Sequence, residues 1–417
     1  MKAKIIIIKE FLFWSFWLTP LLLIFWGIFL AIVSIFIDSI ISIPKDSWLT
    51  NIFSWWIEGY RDILWTISGS MMTITSVVFS MTLVALSLTA GQYGSRIIRS
   101  FMNDKLNQFV LWSYLATFTY CLIILRVVRT EEYISFRPDI SIVIAMILAL
   151  LNIILLIIYI HHVSKSIQVE NIIADIYNEL SNTIEKLYKD KKIPLAWEQE
   201  NIKLKNIQST LLQYPKKFEI VSNTSWYIEY IDYKKIFQTA EKNWCIIHLQ
   251  HKSGDYLLQW WVVAKIYVKK LDMWEIQSQV LKSFEIGKER TTSQDIRFSF
   301  QQLTEIAVRA LSPGINDPYT AISCLNVLSS SIAIIDKKQL LSWYKCSELW
   351  EITVLFPTVE FEELIDLIFS QITHYAVESP LVIRHIDTLY DILSHIVTDP
   401  EHKMVIVKYQ KELKTLL

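Results

Sequence analysis

ILWTISGSMMTITSVVFSMTLVALSLTAGQYGS, residues 63–95, runs without a single Asp, Glu, Lys or Arg. A helix needs about 20 apolar residues to cross the roughly 30 Å hydrocarbon layer, and only a helix or a closed barrel satisfies its backbone there without water. The stretch is long enough. It also carries Thr66, Gly69, Thr73, Ser76, Ser80 and Ser87 at helical spacing, with Ser70 alongside, so one face is small and hydroxylated through the membrane depth.

Three more windows lack Asp, Glu, Lys and Arg: Phe11 to Ile37, Leu106 to Leu125 and Ile140 to Ser164. Hydrophobic residues make up 53% of the 417 and charged ones 19%, so much apolar surface must face something other than water. The sequence predicts an α-helical polytopic membrane protein with four transmembrane helices and a C-terminal cytoplasmic α+β domain. Its first apolar run is too long for a signal-peptide core and is expected to stay as a helix. Positive residues stay cytoplasmic, and Lys2, Lys4, Lys9, Arg96, Arg99, Lys105 and Lys165 outweigh the charges of the other flanks, which places both termini in the cytoplasm.

Between the first two windows, Leu49, Ile52, Phe53, Trp56, Tyr60 and Leu64 recur at helical spacing. This segment, near 46–62, reads either as an amphipathic helix on the outer surface or as a collar packed on neighbouring helices. Asn152, inside the fourth window, is the kind of amide a neighbouring helix satisfies. His161 and His162 lie about 100° apart around a helix, which suits an interfacial role better than a shared metal.

The domains expected are a transmembrane domain over 1–165, a helical extension and linker over 166–215, a β-rich subdomain over 216–270 and a mostly helical subdomain over 271–417. Val169, Ile172, Ile173, Ile176, Leu180, Ile184 and Leu187 continue the helical period past the fourth window, as a seam between subunits or as packing within the domain. Asp232 is placed to cap a short helix, and Ser253-Gly254-Asp255 to form a hairpin turn. Pro313-Gly314 stops one helix, and Asn316-Asp317-Pro318 opens the next. Arg309, Ser312, Gly314, Asn316 and Asp317 thus mark a corner that is a rigid helix-turn-helix or, in addition, a site for an anion or a neighbouring subunit, with Arg309 free to reach it or held by Glu305.

A net charge of -1 gives no basic face for nucleic acid. Eight glycines and widely spaced cysteines leave no phosphate loop or zinc spacing, and no hydrolase or metalloprotease motif occurs, so no enzyme, cofactor or metal is predicted. Two motifs carry a resemblance: Val77-Val78-Phe79-Ser80-Met81-Thr82-Leu83-Val84-Ala85-Leu86-Ser87-Leu88 with Gln92-Tyr93-Gly94-Ser95-Arg96, and Ala307-Val308-Arg309-Ala310-Leu311-Ser312-Pro313-Gly314-Ile315-Asn316-Asp317-Pro318-Tyr319-Thr320-Ala321. On these the chain resembles the bacterial membrane proteins of the domain of unknown function 2254 family. The resemblance implies a bacterial inner membrane but no established activity. Where the family tends to a Pro-Gly-Asp-Phe turn and a Gly-x-Pro-Leu step, this chain has Ser253-Gly254-Asp255-Tyr256 and Gln259-Trp260-Trp261.

Two functional readings follow. In one, copies of the hydroxylated helix line a channel or transport pore for an ion or small solute in a homo-oligomer embedded in the lipid bilayer. In the other, the helices only anchor a sensor or scaffold whose soluble domain binds a ligand or protein. Plain helix packing is the commoner reason for such a stripe and accounts for it without a pore.

Overall fold

The computed structural model describes residues 18–40, 57–94, 104–128, 138–190, 211, 214, 216–268, 273–339, 344–346 and 352–416. The chain divides into two compact units, Met1–Gln168 and Val169–Leu417.

The first unit contains α1 (Leu18–Ile40), α2 (Ile57–Tyr93), α3 (Lys105–Val127) and α4 (Asp139–Ser166). Each exposes large apolar side chains such as Phe25, Phe79, Phe109 and Ile157, as helices in contact with lipid do. Helix α3 packs against the other three and lies at the centre of the bundle. It buries Val110, Tyr114, Thr117, Tyr120, Cys121 and Ile124 at spacings of one to four residues. At 37 residues α2 is longer than a bilayer requires. Ile57 to Asp62 of the expected surface segment form its first turns, because no proline or glycine pair interrupts the helix there; the rest, 46–56, lies outside the described residues.

The second unit opens with α5 (Val169–Leu187), separated from α4 by Ile167 and Gln168. The helical period continues across that break although the helix does not. The stripe Ile172, Ile173, Ile176, Leu180 and Ile184 is buried within this unit, against α8 (Ile296–Ala310) and α9 (Pro318–Asp336). The strands are β1 (Lys189–Asp190), β2 (Lys216–Val221), β3 (Trp226–Ile231), β4 (Cys245–Leu249), β5 (Tyr256–Leu257), β6 (Val262–Val268), β7 (Phe284–Gly287), β8 (Lys338–Gln339), β9 (Tyr344–Cys346) and β10 (Ile352–Leu355). They form a five-stranded sheet in the order β2-β6-β4-β10-β9, a three-stranded sheet in the order β5-β3-β7, and the pair β1-β8. Among the described residues only the β4–β10 pairing is parallel.

Ile220, Ile228, Ile247, Leu257, Val263, Ile266 and Phe284 from the two larger sheets share one core, closed by α6 (Tyr233–Lys242) and α7 (Met273–Leu281). Asp232 caps α6 by accepting from the Lys235 amide at 3.0 Å. The sheets draw β7, β9 and β10 from beyond residue 270, through non-local pairings that local sequence pattern does not encode. The remaining helices are α10 (Phe361–Ile365) and α11 (Gln371–Ala376), joined by a π turn at Asp366–Ser370, then α12 (Pro380–Ile396) and α13 (Pro400–Leu416).

Five helices among the described residues are long and apolar enough to cross a membrane, α1 to α4 and α9. They differ in surroundings: half of the apolar window of α9 is buried by its own unit, against 17–33% for the others. Its neighbours are α5, α8 and α12.

Gly27 sets the approach of α1 to α3. A Cβ there would lie 2.7 Å from the Ala116 carbonyl oxygen, whereas one at Gly69 on α2 would meet nothing within 4 Å. Gly27→Val is therefore expected to lower the stability of the detergent-solubilised protein by about 1–3 kcal/mol. Gly69→Val should leave it within about 0.5 kcal/mol, both read from thermal unfolding.

Candidate functional site

Helix α2 buries one side and exposes the other, where Met72, Val77, Phe79 and Val84 stand among the small residues. Tyr60, Leu64, Ser68, Met71, Val78, Ala85 and Thr89 turn into the bundle. Thr66, Gly69, Ser70, Thr73, Ser76, Ser80 and Ser87 are all exposed. The hydroxyl stripe is thus not a packing face within this chain. Thr73 Oγ1 donates to the Gly69 carbonyl at 3.0 Å and Ser76 Oγ to that of Met72 at 3.1 Å. With their protons committed inward, these oxygens present lone pairs to whatever lies outside.

The bundle interior holds a second set of polar groups, most of which sequence reasoning passed over. At one end Asp38 of α1 accepts from the Ile140 amide at 2.9 Å and from the Ser141 amide and hydroxyl at 3.1 and 2.5 Å, so its carboxylate closes the N-terminus of α4. Tyr120 donates to Ser34 and to the Ser141 carbonyl. Half-way along, Asn152 accepts from Ser113 at 2.8 Å and donates to Thr117 at 2.8 Å, while its carbonyl accepts from Tyr114 at 3.1 Å. Tyr159 donates to the Val78 carbonyl beside Thr82. At the other end Asp104 caps α3 and pairs with His162. These contacts join four helices where no water competes, which makes the bundle specific. The only sequence signal for Asp38 was its place directly after an apolar run.

In the second unit the predicted corner is a helix-turn-helix. Asp317 caps α9 by accepting from the Thr320 amide and hydroxyl at 3.1 and 2.6 Å, and Asn316 adopts φ 48°, the left-handed conformation asparagine tolerates. Ser312 Oγ donates to the Arg309 carbonyl. Arg309 lies 3.3 Å from Glu305, the ordinary pair between adjacent turns. Pro313, Gly314, Ile315 and Asn316 are exposed, and Tyr319 stands 71% exposed beside them.

A charge cluster that no motif announced ties the Ser253-Gly254-Asp255 turn to α8 and α10. Arg297 contacts Asp255 at 2.8 Å, Asp295 at 3.2 Å and Glu363 at 3.2 Å; Arg290 contacts Asp295 at 2.5 Å and Lys252 contacts Glu363 at 2.6 Å. Burial by itself would lower the pKa of the Arg297 guanidinium, but Asp295, Asp255 and Glu363 raise it above its ordinary value. Burial likewise opposes ionisation of Glu363, and Lys252 and Arg297 overcome it, holding that carboxyl below its ordinary value. Gly254 has φ +87° and a Cβ there would lie 1.7 Å from Asp295, so only glycine lets the turn dock. Three cations and three carboxylates balance in this cluster, which makes it a clamp between the sheets and the helices.

An apolar helix bundle with lipid-type surfaces, followed by a C-terminal α+β region, defines a membrane protein with a large globular unit. The chain belongs to the family described as "Predicted membrane protein (DUF2254)", which matches residues 14–391. Uncharacterised proteins of Mycobacterium bovis and Mycobacterium tuberculosis are 26% identical to it over 351 residues. That match covers 83% of this chain and 66% of each relative, so the chain spans just under two thirds of their length. No solved structure matches the chain significantly.

The clamp generates two expectations. Arg297→Ala, which strands the fully buried Asp295 beside a single remaining cation, should destabilise the second unit by about 3–5 kcal/mol in thermal unfolding of the full chain. Because the folded-state pKa of Glu363 is depressed, its contribution is present above its ordinary value of 4.5 and is lost as pH falls through the lower folded value. Glu363→Gln should therefore flatten the loss of melting temperature between ~pH 7 and ~pH 3.

Proposed function

We propose that α1 to α4 cross the bacterial inner membrane with both termini cytoplasmic. Helix α9 stays with the second unit, which already buries half of its apolar window. Copies of the chain assemble around the outward face of α2 into a channel or transport pore, controlled by the cytoplasmic unit. The observation that carries this reading is the exposure of the seven stripe residues, Thr66, Gly69, Ser70, Thr73, Ser76, Ser80 and Ser87. They span 21 positions, about 32 Å of helix, which is about the thickness of the hydrocarbon layer. A lipid tail gains nothing from such a face, whereas hydroxyl oxygens replace water around a permeating solute. The lone pairs left outward by Thr73 and Ser76 favour a cation or a neutral hydrogen-bonding solute over an anion.

In the second reading the helices only anchor a sensor or scaffold, and the exposed corner at Ile315 and Tyr319 is its partner surface. The two readings part on assembly and flux. In proteoliposomes the protein should carry ions or small solutes as a symmetric oligomer. Thr73→Trp, Ser76→Trp or Ser80→Trp should abolish that flux, and Leu150→Trp, on the 61% exposed apolar side of α4, should leave it intact. Vesicles silent to several ions and solutes, with a monomeric closed bundle, would sink the pore and favour the scaffold.

A further inference from the structure

One end of the β-rich part of the second unit carries a group of exposed aromatic and aliphatic side chains built from two segments. Strand β3 meets β5 with Trp226 opposite Leu257, and the loop after β5 is pinned beside it: the Trp260 amide donates to the Ser222 carbonyl at 2.9 Å and the Ser222 amide to the Trp261 carbonyl at 2.8 Å. These bonds bring together Trp226, Leu258, Trp260 and Trp261, which are 44%, 55%, 70% and 48% exposed. Trp261 also packs its ring against His251, with ring centres 4.7 Å apart.

The backbone works against this display. Trp260 has φ 70° and Trp226 φ 138°, conformations in which a bulky side chain is strained. Strain of this kind persists where the surroundings over-determine it, as the bonds from Ser222 to Trp260 and Trp261 do here.

We propose that this end of the second unit inserts Trp226, Leu258, Trp260 and Trp261 into the headgroup layer of the chain's own bilayer. Three observations select lipid as the occupant. Tryptophan, an apolar ring with one N–H, is the side chain that membrane–water interfaces favour, and a fluid headgroup layer needs no shape complement to accept protruding rings. The Lys288 ammonium sits 5.8 Å from the centre of the Trp226 ring, which places a cation beside the apolar tip for a lipid phosphate. Only Ile167 and Gln168 separate α4, apolar enough to cross the membrane, from the start of the second unit at α5, so a two-residue link ties the unit to a membrane helix. The proposal rests on the membrane character of the family and is independent of the pore.

Trp244 supplies an internal control. It is 72% exposed and also at positive φ (48°), but it adjoins Cys245, which pairs with Val268 at the far end of β6 from Trp261. The test places single cysteines in the full chain (Leu258→Cys, Trp260→Cys, Trp244→Cys) in a Cys346→Ser background. Cys121, Cys245 and Cys324 are buried and should not label. Each variant is labelled with an environment-sensitive fluorophore and reconstituted in nanodiscs of phosphatidylcholine and phosphatidylglycerol with or without doxyl-labelled lipid. Labels at 258 and 260 should be blue-shifted and lose fluorescence to the doxyl lipid, while the label at 244 stays accessible to aqueous iodide. Two label positions guard against one variant misfolding. Lipid quenching at 258 and 260 no greater than at 244 overturns the proposal: with iodide access the patch faces water, and with shielding from both quenchers it faces a protein or a second copy.

Discussion

In hydrocarbon a polar group has no water to fall back on, so each one must find its partner inside the protein. The first unit is organised by that constraint. It makes α1 to α4 helices, and it explains why Ser113, Thr117 and Tyr120 of α3 point at other helices. Tyr120 reaches α1 and α4, Thr117 and Ser113 reach Asn152, and Asp104 reaches His162. With no apolar driving force between helices in lipid, these bonds and the close approach at Gly27 decide which helix sits where.

The same constraint gives the outer face of α2 its meaning. On the inner side Thr82 reaches across to Tyr159, while Ser68 and Thr89 bond carbonyls of their own helix. Outside, Thr73 and Ser76 fall back on carbonyls of their own helix, which satisfies the donors but leaves a polar surface that lipid does not reward. The proposed pore rests on that outward face. In the second unit the corresponding constraint is the Arg297 clamp: a buried carboxylate at Asp295 obliges two arginines to converge, and one of them grips the turn that closes the β4–β5 connection.

The apolar windows, the caps at Asp232 and Asp317 and the stripe on α5 were legible because each depends on residues within one or two turns of one another, where periodicity and side-chain chemistry act directly. Contacts between distant residues were not. Asp255 and Arg297 are 42 positions apart, and Asp38 and Ser141 are 103 apart, so no local pattern links them. The segment near 46–62 shows the limit from the other side: from Ile57 onward nothing in the spacing distinguishes a separate surface helix from the start of α2.

The sequence by itself determined that this chain is a helical membrane protein with an α+β region after it, and that one helix carries a small, hydroxylated stripe. Both follow from composition and period, the properties a linear chain holds without folding. Only the tertiary structure decided that the stripe turns away from the bundle, that α9 is half buried by neighbours of its own unit despite its apolar sequence, and that Trp226 and Trp260 come together at one exposed end. Which face of a helix is covered depends on what packs against it. That is settled by long-range contacts, and no stretch of sequence contains them alone.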